Sequence, residues 1–152
     1  MLRQRLSLFL AALWWGGITA LSFLAVPLLF ASLGSPAVAG PVAARIFSLQ
    51  CWAGLLIGVA LLLLLRGTQA PGGDERPVIA AEALTTMGFV LLAMLLALLQ
   101  EFGVAQKIVT ARASGGDLRF WHGVGSAMVL VQWLCAGAVL WRLGAAPAGQ
   151  PR

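Results

Sequence analysis

The sequence predicts an all-α integral membrane protein, a four-helix bundle made of two transmembrane hairpins. Three observations predict it. Of 152 residues, 61% are hydrophobic and 10% charged, with a mean hydropathy of +0.94. A soluble domain of this length cannot bury so much apolar surface, so lipid must take the remainder. The apolar residues gather into four runs, each near the roughly 20 residues needed to cross a hydrocarbon core. Glycine, proline and charged residues punctuate the gaps. Residues 1–152 therefore read as a single transmembrane domain with helices at about 7–31, 46–65, 83–105 and 120–142.

The first run follows Arg3 and Arg5 and carries no charge from Leu6 to Ala44. A signal-peptide core spans roughly 7–15 residues. The tripeptide Ala37-Val38-Ala39 has the look of a cleavage site, but the apolar run before it is too long, so an uncleaved first helix is expected. Ala12, Gly16 and Ala20 recur every fourth residue, a spacing that lets another helix backbone come close. Pro27 falls near the far end, where neighbours can satisfy the carbonyl it frees.

Gly34, Pro36, Gly40 and Pro41 mark residues 32–44 as a loop. In the second run Gly54 and Gly58 form a GxxxG pair, a packing face common in membrane helices. Residues 66–82, with Pro71-Gly72-Gly73, Asp74, Glu75, Arg76 and Pro77, form the most polar stretch and divide the two hairpins. The third run ends on Gln100 and Glu101. A loop at 106–119 follows, with Lys107, Arg112, Asp117 and Arg119. The fourth run is bracketed by Trp121 and Trp141, twenty residues apart. At about 1.5 Å per residue that is roughly 30 Å, the spacing of the two aromatic belts of a bilayer.

Four spans place both termini on one side. That side carries Arg3, Arg5, Arg66, Arg76, Arg142 and Arg152, against Arg45, Lys107, Arg112 and Arg119 on the other. The excess favours cytoplasmic termini in a plasma membrane, here a bacterial inner membrane. The net charge of +5 comes from single residues flanking apolar runs. Such flanks suit phospholipid headgroups, and the basic stripe of a nucleic-acid binder is missing. Cys51 and Cys135 sit inside apolar runs without zinc spacing and read as small buried hydrophobes.

This topology gathers a candidate polar cluster towards the non-cytoplasmic side: Arg45, Gln50, Glu101, His122 and Ser126, with Gln100 beside them. Ionisable groups inside a membrane are expensive and mark functional sites by default. Glu101 is expected one to two turns inside the interface, with Arg45, Lys107 or His122 as its partner. The plain structural alternatives are an ion pair tying the hairpins together and a histidine bonded to a carbonyl. Gln132 lies at mid-span with Thr19 and Ser22 at similar depth, which points to interhelical hydrogen bonds. Met87 and Met94, seven apart, read as a core or lipid-facing stripe rather than as soft-metal ligands beside the cysteines. No phosphate loop, catalytic triad, paired-acid motif or HExxH is present, so no enzymatic activity, cofactor or metal is expected.

Several stretches together resemble one family. They are Leu13-Trp14-Trp15-Gly16-Gly17 through Ala25-Val26-Pro27-Leu28-Leu29-Phe30; Ala39-Gly40 with Ala44-Arg45-Ile46-Phe47; Glu101-Phe102-Gly103-Val104-Ala105; and Phe120-Trp121-His122-Gly123 with Ser126. Their order and spacing over nearly the whole chain resemble small four-helix membrane proteins catalogued as domain of unknown function 4149, related to eukaryotic transmembrane protein 205. Gln106 stands where that pattern has a proline, and Ser126 falls one position later than the commoner serine. The resemblance implies a multi-pass membrane protein and names no reaction.

The leading expectation is thus a non-enzymatic membrane protein whose polar cluster binds or passes a small solute or ion, or anchors a partner. Homo-oligomers through glycine-faced helices fit this reading. Two alternatives stand beside it: a haem- or copper-binding redox protein using His122, and a structural subunit of a membrane complex.

Overall fold

The computed structural model describes residues 2–66 and 76–145. The chain forms four long helices: α1 (Leu2–Leu33), α2 (Pro36–Arg66), α3 (residues 76–114) and α4 (Leu118–Gly144). All four are long and apolar enough to cross a membrane. The polar stretch at 67–75, with Asp74 and Glu75, lies outside the described residues, as does Arg152.

The helices are longer than expected at both ends: α1 begins at Leu2 rather than near residue 7, and α3 begins at Arg76, inside the 66–82 stretch expected as loop. Residues 36–44 were expected as loop and instead begin α2. Gly34 closes α1 in the left-handed conformation, with φ 61°. Ser35 then turns the chain, its carbonyl accepting from the N–H groups of Val38 and Ala39 at 3.1 and 2.9 Å. Pro36 occupies the first helical position, where its fixed φ suits the helix and its missing N–H costs nothing. Pro41 comes so soon after the helix start that it leaves only the Ala37 carbonyl to find water.

Residues 106–114, also expected as loop, extend α3 to Ser114. Polarity alone does not break a helix. Gly115 does, at φ 76°, and the N–H groups of Gly115 and Gly116 both return to the Ala111 carbonyl. Asp117 starts α4 by accepting from the Phe120 N–H at 2.9 Å.

Sequence neighbours are spatial neighbours, and α4 packs back on α1, so the helices form a closed square. The core combines Ala11, Trp14 and Ile18 of α1 with Leu61 of α2, Val90 and Ala93 of α3, and Val129, Ala136 and Val139 of α4. Small residues at the contacts let backbones approach where no hydrophobic effect drives association. The periphery is the reverse of a soluble protein: Leu56 is 73% exposed and Leu28 67%. Such a surface requires lipid around it.

Glycines work here as sockets for side chains. A Cβ on Gly54 would lie 2.9 Å from Trp14 Nε1, one on Gly58 2.6 Å from Met94 Sδ, and one on Gly137 3.0 Å from Trp15 Nε1. Consecutive residues of a helix point about 100° apart. Trp14 therefore enters α2 while Trp15 enters α4, which seats α1 between its two neighbours. Gly16 makes no such contact within the bundle: a Cβ there meets nothing within 4 Å, and Ala12 and Ala20 are exposed. The inward face of α1 runs through Ala11, Trp14 and Ile18, rotated away from that small-residue stripe.

Gly54→Ala is expected to destabilise the bundle by about 1–3 kcal/mol, because the rigid Trp14 indole cannot retreat from a packed core. Gly16→Ala is expected to stay within about 0.5 kcal/mol of the parent. Unfolding in mixed detergent micelles measures both.

Candidate functional site

Most side-chain hydrogen bonds between described helices gather in one layer. Ser22 Oγ of α1 donates to Gln50 Oε1 of α2 at 2.8 Å. Ser48 Oγ of α2 donates to Glu101 Oε1 of α3 at 2.7 Å. Gln132 Nε2 of α4 donates to Gln100 Oε1 of α3 at 2.8 Å. Trp133 Nε1 of α4 donates to Thr19 Oγ1 of α1, again at 2.8 Å. Each pair of adjacent helices is joined once, so the bonds close a belt around the bundle. Cys51 Sγ adds a contact from α2 to the Ala97 carbonyl of α3 at 3.3 Å.

The belt occupies the central part of every helix. Glu101 stands 13 residues before the end of α3 at Ser114, roughly 20 Å at about 1.5 Å per residue. That is deeper than the one to two turns expected from a helix ending near 105. Gln50 and Gln132 are buried, while Thr19, Ser22, Ser48, Gln100 and Glu101 are half-buried.

Two of the four helices change form at this layer. Thr19–Ala25 of α1 and Gln100–Val104 of α3 are π-helical, with the Val26 N–H reaching back to Leu21 and the Ala105 N–H to Gln100. Thr19 and Ser22 belong to the first segment, Gln100 and Glu101 to the second. Wide turns of this kind are frequent at functional sites.

No buried side-chain nitrogen or oxygen lacks a partner among the described residues. Charge is a different matter. Among the described residues Glu101 is the only acid in the middle of a helix, and no ion pair joins it to Arg45, Lys107 or His122. Its hydrogen-bond donor is a neutral hydroxyl.

The expected cluster is thus divided. Gln50 and Glu101 enter the belt, whereas Arg45, His122 and Ser126 lie on exposed faces nearer the loop ends. The mid-span trio of Gln132, Thr19 and Ser22 does form interhelical bonds, with partners the spacing did not specify. Ser48 and the part played by Gln100 were missed. A lone serine in an apolar run was the available signal for the first. Both cysteines are buried and free. Among the described residues no group of three or more His, Cys, Asp or Glu side chains converges as metal ligands would. The surface cleft of about 460 Å³ lined by Leu8, Trp15, Gly137, Leu140, Trp141 and Gly144 is apolar and contains no belt hydrogen-bond donor or acceptor.

Near the terminal end of the bundle, Arg142 Nε donates to Thr86 Oγ1 at 3.0 Å and its Nη2 to the Glu82 carbonyl at 3.3 Å. Towards the other end the Arg112 guanidinium covers Gly40. These two contacts brace α3 against α4 and α2 outside the belt.

Replacing Gln132 or Gln100 by Met is expected to cost each variant about 0.6 kcal/mol, the average for interhelical hydrogen bonds in membranes, and at most about 1.7 kcal/mol. The double variant is expected to cost less than the sum, since both changes remove one bond. A double-mutant cycle in micelles reads that coupling.

A family model described as a domain of unknown function, DUF4149, matches residues 9–117. The matched part takes in the belt residues of α1, α2 and α3 and ends before Gln132 and Trp133. Comparison with curated proteins and with solved structures gives no match. With well over half of its length covered by the model, this chain of four apolar, membrane-spanning helices belongs to the DUF4149 family.

Proposed function

We propose that the protein is non-enzymatic and binds a cation at Glu101, in the α2–α3 seam of a bundle that spans the plasma membrane. The observation that carries this reading is the unpaired charge of Glu101 in the central layer. Placing an acid at the centre of a membrane helix costs about 2.5–3.5 kcal/mol. A hydrogen bond to a charged group returns about 1.5–3 kcal/mol. The Ser48 hydroxyl leaves that balance at best near zero, and a cation at the free oxygen completes it.

The belt supports the reading in a second way. It holds Ser48 and Glu101 in fixed register while the Gln50 and Gln100 oxygens accept from Ser22 and Gln132, and among the described residues no amide bonds the carboxylate. The arginine distribution supports cytoplasmic termini. The outward stripe of Ala12, Gly16 and Ala20 supports self-association of α1.

A lipophilic carbodiimide reacts with carboxyl groups in apolar surroundings and reports directly on Glu101. Labelling is expected in the parent protein and absent in Glu101→Gln. Na⁺, K⁺ or a protonated simple amine is expected to slow it several-fold, with Ser48→Ala raising the protecting concentration by about 2- to 10-fold. Labelling indifferent to all of these cations would overturn the proposal.

A further inference from the structure

An aromatic pair stands beside the acid. Trp52 of α2 and Phe102 of α3 meet edge to face, with ring centroids 6.3 Å apart and planes at 87°. Trp52 lies one turn from Ser48 on the same helix face, and Phe102 directly follows Glu101. The rings come from the same two helices that the Ser48–Glu101 bond joins, so both features occupy one seam. Both rings look outward, with Trp52 50% and Phe102 62% exposed, and Glu101 itself is half-buried.

From this juxtaposition we infer that the α2–α3 seam binds a lipophilic organic cation, a quaternary ammonium or phosphonium ion that arrives from the surrounding acyl chains. The inference rests on the Glu101 reading and narrows it to a class of ligand.

Three physical arguments support the choice. A carboxylate without a cationic partner supplies the charge. Aromatic faces supply attraction for a poorly hydrated cation, an effect that strengthens away from water. A small inorganic ion gains less here, because it keeps its hydration unless several oxygens replace it. The third argument is the route. Towards the loop end, Arg45 on α2 and Lys107 on α3 are both exposed. Their positive charge opposes a cation descending from that end. On the acyl-chain side Trp52 and Phe102 are exposed, so a ligand already dissolved in the membrane reaches the aromatic pair without passing those charges.

The test uses radiolabelled tetraphenylphosphonium and the purified full-length protein in detergent, with triphenylphosphine oxide as the uncharged competitor. Saturable binding is expected, insensitive to the uncharged compound and reduced at least tenfold in Glu101→Gln. Trp52→Leu and Phe102→Leu keep the apolar surface and lose the aromatic faces. Each is expected to weaken binding by about 2- to 30-fold, while Trp52→Phe stays near the parent. Gel filtration and helical circular dichroism confirm that each variant is folded.

Equal displacement by the uncharged compound, or parent-like binding in both leucine variants, would overturn the inference. The two levels separate cleanly. If inorganic cations protect Glu101 from carbodiimide while tetraphenylphosphonium fails to bind, the Glu101 reading stands and this inference falls. If neither cation class engages Glu101, both fall.

Discussion

The hydrogen-bonded belt is the interaction on which the remaining architecture depends. In lipid, apolar side chains gain nothing by leaving their solvent, so packing alone specifies helix neighbours weakly. Polar side chains have no water to fall back on and must find one another. Four such bonds, one per helix contact, fix both the order of helices around the square and their vertical register. The tryptophan sockets act on the same arrangement through shape, with α1 held between Gly54 and Gly137.

A square bundle imposes a simple angular demand, because each helix has two neighbours roughly at right angles. Adjacent residues on an α-helix diverge by about 100°, close to that demand. The chain uses the device three times. Trp14 and Trp15 reach α2 and α4, Glu101 and Gln100 reach α2 and α4, and Trp133 and Gln132 reach α1 and α3. Trp15 and Trp133 also stack, with centroids 5.5 Å apart, so two of these pairs reinforce one another at the α1–α4 contact. The π-helical turns fall on α1 and α3, which stand diagonally across the square.

Much of the fold was legible in the sequence because lipid imposes a coarse rule: long apolar runs become helices. Four spans, buried free cysteines and the membrane assignment all follow from it. Helix ends were less legible. Pro36, Gly40 and Pro41 look like loop punctuation, yet a proline at the first helical position starts a helix, and it is the left-handed Gly34 and Gly115 that stop α1 and α3. Gly54 and Gly58 were recognised as packing positions, but periodicity could not say that they receive Trp14 and Met94 rather than a helix backbone. For the site, Gln50 and Glu101 were visible as polar residues in apolar surroundings. The pairing of Glu101 with Ser48 was not, since it depends on the α2–α3 register. Interfacial charge drew attention to His122, which the rotation of α4 leaves on an exposed face.

Crosslinks confined to a single layer have a mechanical consequence. They resist the sliding of one helix past another, but they oppose tilting about that layer only weakly. Side-chain hydrogen bonds between described helices outside the layer are limited to Arg142 with Thr86 and Glu82. For an arm of roughly 20 Å, about 13 residues of helix, a tilt near 3° carries the tip about 1 Å while the fulcrum barely moves. The molecule is therefore built like a pair of crossed levers with its pivot at mid-depth. A small change in how tightly Ser48 holds Glu101 would be felt chiefly as a change in the gape of the two ends.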